Sequence, residues 1–267
     1  MSDGNPTKKG INYWSREELL LVFDLYCRIP FSKTKRNNPA VIALANLIGR
    51  SPSSVALKLG NFGSFDPELR TQGIGGLPHV GRLDREIWDE FNSSPDQLVW
   101  EADQIRRRYS SHDQTDDLIE PSEDEVFVMP SGPSEREAIR KYRVHQSFFR
   151  DAILTGYNET CCITGLRIKE CLIASHIVPW KDDETHRTDP RNGLCLSATF
   201  DKLFDRGLIT VSSELNVVVS ESIRKTDEPL IDEMIGKYHG KPIIPPQRFY
   251  PDPRFLLWHQ TKIFRDK

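Results

Sequence analysis

A histidine and two aspartates in the second half of the chain have the residue types and spacing of a hydrolytic metal site. His176 lies in an apolar, β-branched segment, residues 172–178, which has the composition of a short strand. Asp201 and Asp205 are four residues apart in a segment that predicts a helix ending at Gly207, so both carboxylates project from one helix face. Two like charges placed in this way repel each other unless a cation neutralises them.

The chemistry of these groups indicates metal-assisted hydrolysis of a phosphodiester. Carboxylate oxygens are hard ligands that favour Mg²⁺ or Mn²⁺ over soft metals. Imidazole can take a proton from water because its unperturbed pKa lies near neutrality. The alternative interpretation is that His176 is a buried strand histidine and that Asp201 and Asp205 form a solvated helix face.

The surrounding segments predict the elements that position these residues. Residues 181–191 are polar and have the composition of a loop, which Asn192 and Gly193 close into a second short strand at residues 194–196. A helix then runs from Ser197 or Thr199 to Asp205. A long amphipathic helix at residues 134–156 precedes the first strand, with Ser134 as its expected N-cap and Glu137 three residues later.

With these residues in place, the stretch resembles the HNH nuclease superfamily, whose site is called ββα-metal. It is most similar to the restriction-endonuclease-like subgroup with a Ser-His-Ile-x-Pro-Trp segment and a Leu-Phe-Asp-Arg-Gly helix end, and the resemblance extends over residues 143–260. It implies that His176 activates the water and that Asn192 pins the loop between the strands. It also implies that Asp201 and Asp205 bind one Mg²⁺ or Mn²⁺ ion.

The sequence departs from the family pattern at two positions. The residue before the base is often an acidic or imidazole metal ligand, whereas here it is Ser175, a possible ligand or neighbour of the metal. The final motif position is usually His or Asn and is Asp201 here. A carboxylate at that position is still a plausible ligand for a hard cation.

The reaction implied by the resemblance is cleavage of a DNA phosphodiester that leaves a 5′ phosphate. Double-stranded DNA is then the expected partner, and basic residues around the motif are expected to contact its phosphates. Four such residues are Arg150, Lys181, Arg191 and Lys202.

The first part of the chain, residues 1–112, predicts a mostly helical DNA-recognition domain. Two short helices joined by a turn at Gly49 resemble a helix-turn-helix, although a helical packing corner is an equally good interpretation. The residues expected to face DNA are Arg50, Ser53, Ser54 and Lys58. The glycine-rich residues 63–81 predict a loop.

An acidic segment separates the two parts. Residues 113–125 contain seven acidic residues and no Lys or Arg, and removing them from the net charge of −3 leaves +4 on the rest of the chain. Residues 113–133 therefore predict a linker between the helical domain and a nuclease domain at residues 134–267 with a helical C-terminal tail. The predicted fold class is α+β: a mostly helical N-terminal domain followed by a ββα-metal domain with flanking helices.

The cysteines and the apolar runs of the chain indicate which kinds of protein and site are not expected. The five cysteines include no Cys-x-x-Cys pair, so neither structural zinc nor a disulfide framework is expected. No apolar run approaches the length of a membrane span and no signal core is visible, so we expect a cytoplasmic protein without membrane contact.

The biological role follows less directly from the residues. A DNA-reading domain joined to one nuclease site suits a bacterial restriction enzyme that acts as a homodimer, and dependence on modified cytosine is one possibility. The alternatives are a DNA-binding regulator or assembly protein with an inactive HNH fold, and a homing or structure-specific nuclease.

Overall fold

The computed structural model describes residues 13–73, 80–110 and 133–266, with the backbone alone for residues 133 and 134. A helical region, residues 16–156, is followed by small β-hairpins and a short helix, which confirms the predicted α+β class. The predicted acidic linker lies almost entirely outside the described residues, as does part of the glycine-rich stretch.

The helical region is built around its first helix, α1 (Arg16–Arg28). Ser15 and Glu18 form a reciprocal capping box at its start, as the sequence predicts. Residues 19–22 are completely buried, so α1 has no solvent face along that turn. It packs against several other helices: α3 (Pro52–Phe65), α5 (Arg82–Phe91), α6 (Pro95–Tyr109) and α7 (Pro133–Gly156).

The pair of helices expected to resemble a helix-turn-helix is present as α2 (Pro39–Leu47) and α3, joined through Gly49. Gly49 has φ +66°, a conformation that glycine adopts without a Cβ clash. The two helices are bent by 108° relative to each other. Among the described residues, no single helix is long and apolar enough to cross a membrane, and only this bent pair reaches that length and composition when taken together.

The prediction of a loop from residue 63 is wrong for its first part. Helix α3 continues through Phe65, and a further short helix, α4 (Pro67–Thr71), follows with Asp66 as its N-cap. Gly63 is used for close packing, because a Cβ at this position would overlap the ring of Phe31.

Helix α7 connects the two hydrophobic cores. Phe148 and Ala152 lie in the core of the helical region, whereas Phe149 and Ile153 lie in the core that surrounds the predicted nuclease site. Neighbouring residues on a helix point about 100° apart, so one helix can face both cores.

The expected strands and helix of the site follow α7. Strand β1 (Leu172–His176) pairs antiparallel with β2 (Gly193–Ser197), and His176 lies opposite Gly193. Helix α8 (Ala198–Asp205) follows β2 directly and ends before Gly207, which has φ +69°.

The remaining elements complete the second core. The sequence did not predict the hairpin of β3 (Ile209–Val211) and β4 (Val217–Val219). Three helices follow: α9 (Glu221–Arg224), α10 (Pro229–Met234) and α11 (Pro253–Lys262). The tail also reaches the helical region, where buried Arg248 donates to the carbonyl oxygen of Tyr26 and Glu68 accepts from the backbone N–H of Phe249.

Candidate active site

The end of strand β1 brings two predicted site residues to opposite sides of the hairpin. Ser175 is buried on the side of α8, next to Asp201. His176 lies on the side of α7, where its ring stacks on Phe149. Alternation along a strand explains this placement, because successive side chains point to opposite faces.

The imidazole of His176 is held on three sides. Its ring is parallel to the ring of Phe149, with centroids 3.7 Å apart and an interplanar angle of 7°. Trp180 meets it edge to face at 5.6 Å. Its Nε2 lies 2.9 Å from the carbonyl oxygen of Arg187, in the loop between β1 and β2. The ring therefore has one orientation.

The hydrogen bond to Arg187 also fixes which nitrogen carries the proton. A carbonyl oxygen can only accept, so Nε2 of His176 must donate, and in the neutral ring Nδ1 keeps its lone pair. Burial lowers the pKa of His176 to about 4, and the hydrogen bond to the Arg187 carbonyl opposes this only in part. The side chain is neutral at physiological pH, and Nδ1 is a proton acceptor.

Asn192 closes the loop that carries Arg187. Its Oδ1 accepts from the backbone N–H of Val178 at 2.8 Å, and its Nδ2 donates to the carbonyl oxygens of Val178 and His186 at 3.2 and 3.3 Å. Asn192 is almost completely buried. These bonds join the two ends of the loop, as the family resemblance implies for this asparagine.

Asp201 and Asp205 lie on the same side of α8 and influence each other. Burial raises the pKa of Asp201, and the nearby hydroxyl of Ser175 opposes that shift. Burial also raises the pKa of Asp205, and the negative charge of Asp201 adds to it. The pair is therefore destabilised in its doubly charged form, as expected for two carboxylates that share a site.

These residues provide a partial set of ligands for a hard cation. The described residues contain no group of three or more His, Cys, Asp or Glu placed to hold a metal ion. However, Mg²⁺ is commonly held by one or two carboxylates together with waters and substrate phosphates. The buried Oγ of Ser175 has no hydrogen bond of good geometry, although it lies near Asp201. Two carboxylates and this hydroxyl fit a metal that keeps several other ligands.

The four predicted phosphate contacts differ in how they are placed. Arg150 donates to the carbonyl oxygen of Leu172 at 3.0 Å, at the start of β1. Arg191 forms a two-pronged ion pair with buried Asp189, with contacts of 2.9 and 2.7 Å. Lys181 and Lys202 are exposed, and no described residue forms a hydrogen bond or ion pair with either.

The predicted DNA-recognition residues also divide into two groups. Arg50 pairs with Glu18 at 2.7 Å, and Lys58 pairs with the completely buried carboxylate of Asp84 at 2.8 Å. Both cations are thus neutralised within the helical region. Ser53 is exposed and Ser54 is half-buried, both in the first turn of α3. Contact of any of these four residues with DNA stays a prediction.

Sequence reasoning missed the groups that hold His176. Phe149 lies on α7, where its aromatic ring is indistinguishable in sequence from any other core position. Arg187 acts through its backbone carbonyl, so no residue type could have indicated it. Thr188, the next residue, is completely buried and donates its hydroxyl to Asp96 of α6.

Comparison with known proteins finds a family match over the same segment. Residues 161–212 match the sequence model of a family described as HNH endonuclease, and the match takes in β1, β2, α8 and β3. No curated protein matches the chain. HNH nucleases generally use a divalent metal and act on DNA. The chain therefore carries an HNH endonuclease domain at residues 161–212, and this domain implies a nuclease.

Proposed function

We propose that the chain is a divalent-metal-dependent DNA endonuclease of the restriction type, in which His176 is the general base. The observation that carries this proposal is the state of the His176 ring. It is neutral, its Nε2 proton is engaged by the Arg187 carbonyl, and its Nδ1 is left as the basic nitrogen. A general base must be unprotonated and oriented, and both conditions are met here, while the lowered pKa means that Nδ1 binds a proton less tightly than a free imidazole does.

Each of the other site residues has a distinct task in this proposal. Asp201 and Asp205 hold Mg²⁺ or Mn²⁺, with Ser175 beside them. The bound metal would stabilise the charge that develops on the phosphate and on the departing 3′ oxygen. Nδ1 of His176 takes the proton of the attacking water, and Asn192 keeps the loop closed behind it.

Exposed cations around the site support DNA as the substrate. Lys181 and Lys202 flank the hairpin and α8 and are open to solvent. Arg191 would have to share its guanidinium between Asp189 and a phosphate. Each cation that neutralises a phosphate releases counterions, so cleavage should weaken as salt is raised.

A restriction role rests on the helical region that precedes the nuclease domain. In this proposal the helical region reads the DNA, with α2 and α3 nearest to the duplex, and two copies of the chain place one site on each strand. The proposed setting is the cytoplasm, where cellular or invading DNA is accessible.

Dependence on modified cytosine has one supporting feature. A cavity of about 150 Å³ lies between the helical region and the loop of the nuclease site, and it is lined by Trp88, Phe91, Phe148, Phe249 and Arg191 among others. Aromatic walls suit a base that has been turned out of the duplex. We therefore include recognition of a modified base in the proposal.

Digestion of three matched DNAs tests the activity and the substrate together. Unmodified, 5-methylcytosine and 5-hydroxymethylcytosine versions of one plasmid-length duplex are incubated with the full chain and Mg²⁺ or Mn²⁺. Cutting of modified DNA alone supports a defence role against such DNA, whereas equal cutting supports ordinary sequence-specific restriction. Metal-independent binding without cutting of any substrate would favour the alternative, a DNA-binding protein with an inactive HNH fold.

A further inference from the structure

We infer that Asp96 and Thr188 are positioning residues through which the helical region holds the proposed base. This inference rests on the proposed function, since it concerns the orientation of His176. Asp96 is the second residue of α6, far from the nuclease motif in sequence. Its carboxylate accepts the hydroxyl hydrogen of Thr188, which lies in the loop between β1 and β2.

The peptide bond between Arg187 and Thr188 is the connection between these two contacts. Its oxygen is the carbonyl that accepts from Nε2 of His176 at 2.9 Å. A peptide unit is planar and rigid, so anchoring Thr188 limits the directions in which the Arg187 oxygen can point. Asp96 therefore acts on His176 across one peptide unit.

Because Thr188 is buried, its hydroxyl depends on the contact with Asp96. Its side chain is completely buried, and a buried hydroxyl that lost its partner would have no water to replace it. Asn192 already anchors His186, two positions before Thr188, because it donates to the carbonyl of His186. The segment 186–188 is thus held from inside the nuclease domain by Asn192 and from the helical region by Asp96.

Groups on α7 and in the loop surround Asp96. His145 of α7 is buried and contacts the backbone of Asp96, and the positive charges of Lys141 and Arg187 also act on the Asp96 carboxylate. The contact between α6 and the loop is therefore part of a packed polar cluster. A helical region that reads DNA through α2 and α3 would in this way be connected through α6 to the proposed base.

A second threonine provides a matched control. Thr155 of α7 is also buried, and it donates its hydroxyl to the carbonyl oxygen of Arg28 at the end of α1, at 2.7 Å. This hydrogen bond joins α7 to α1 within the helical region, and like the bond from Thr188 to Asp96 it links residues that are distant in the chain. The described hydrogen bonds of Thr155 include none to the loop or to His176.

The experiment compares Thr188→Val, Thr188→Ser, Asp96→Asn and Thr155→Val in the full chain. Valine matches threonine in shape and lacks the hydroxyl, so Thr188→Val should lower kcat for DNA cleavage by about 10- to 100-fold, with KM changed by less than about threefold. Thr188→Ser and Asp96→Asn keep a donor and an acceptor and should stay within about threefold of the wild type. Thr155→Val should also stay near the wild-type rate.

A measurement independent of activity accompanies the kinetics. In protein labelled with ¹⁵N-histidine, the chemical shifts of His176 should report a single Nε2-protonated tautomer in the wild type and a mixture in Thr188→Val. If the wild type cuts no DNA but the tautomer changes as expected, the proposed function fails and the positioning role stands. An unchanged tautomer with an unchanged kcat in Thr188→Val, or an equal loss in Thr155→Val, would overturn the positioning role.

Discussion

Two histidines in the nuclease part have almost the same surroundings. His176 stacks on Phe149 at 3.7 Å and His259, on α11, stacks on Phe204 at 3.6 Å, with interplanar angles of 7° and 10°. Each places Nε2 on a backbone carbonyl, at 2.9 Å from Arg187 and 3.1 Å from Phe204. Burial lowers the pKa of both to about 4.

The difference between them is the second nitrogen. Nδ1 of His259 accepts from the hydroxyl of Thr210 at 2.8 Å, so both ring nitrogens are used inside the protein. The described hydrogen bonds of His176 include none at Nδ1. Stacking, burial and a lowered pKa are therefore common to a structural histidine and to a candidate base. The two histidines differ in the unused lone pair of His176, in its edge contact with Trp180 and in its partial exposure, since His259 is almost completely buried.

The largest expected effect is the contrast between His176→Gln and His259→Gln in DNA cleavage. Glutamine keeps an amide that can donate to the backbone carbonyl but offers no basic nitrogen. We expect His176→Gln to lower the cleavage rate by about 10²- to 10⁴-fold, the usual contribution of a general base. His259→Gln should stay within about threefold when rates are expressed per folded molecule.

Single-turnover cleavage of plasmid DNA, with the folded fraction measured by circular dichroism, makes this comparison. Equal losses in the two variants would show that the unused Nδ1 does not distinguish the histidines. Full activity in His176→Gln would remove it from the role of base.

A second test concerns the carboxylates beside Ser175. If Asp201 and Asp205 bind the metal, Mg²⁺ or Mn²⁺ at 100 times its Kd should stabilise the fold by about 2.7 kcal/mol. For a chain of this size that corresponds to a rise in Tm of roughly 5–10 °C. The Asp201→Asn, Asp205→Asn double variant should lose this rise, and its metal-free form should be at least as stable as the wild type because one pair of like charges is gone.

Thermal unfolding with and without metal measures both quantities. Glu214→Gln is a suitable control, since this carboxylate is exposed and lies on the turn between β3 and β4. A metal-dependent rise that survives in the double variant would place the cation elsewhere.

The smallest expected effect is on the pH dependence of stability, in which the two histidines should behave alike. Each has a folded-state pKa of about 4, below the ordinary value of 6.5, so the unfolded chain binds the proton more readily. Stability is then lost as pH falls from 6.5 towards 4, with a slope of up to about 1.4 kcal/mol per pH unit for each histidine. Either glutamine variant should reduce the slope by that amount.

Denaturant unfolding of the metal-free protein at several pH values between 4 and 7 measures the slope. His145, whose pKa is also lowered to about 4 by burial, is present in all variants and contributes to the remaining slope, as do carboxylates whose pKa is raised by burial, such as Asp151. If the slope of stability against pH changed for only one of the two variants, then burial would lower the pKa of only that histidine in solution.

The sequence predicted the parts of the site that depend on residue type and short spacing. Strand β1 was expected from its apolar, β-branched residues, and the shared face of Asp201 and Asp205 from their separation of four. Asn192 was expected to pin the loop because of the family resemblance, and from the end of that loop its amide forms hydrogen bonds to Val178 at the start and to His186 in the middle.

Other features depend on partners that are distant in the chain. Arg50 and Lys58 were expected to face DNA, but a sequence does not reveal that Glu18 and Asp84 lie beside them. Strands of three residues, such as β3 and β4, are too short to show a period of two. The Arg187 carbonyl has no signature at all, because every residue carries one.

The ring of Phe149 has a practical consequence for protein engineering. This ring supports His176 from α7, and the ring of His259 supports α8 from α11. Phe149 and His259 both lie outside the segment 161–212 that the HNH family covers. A chimera that received only this segment would keep its chemical groups and lose the surfaces against which they rest. Transfer of the nuclease site to another protein would require a donor fragment that includes at least α7 and α11.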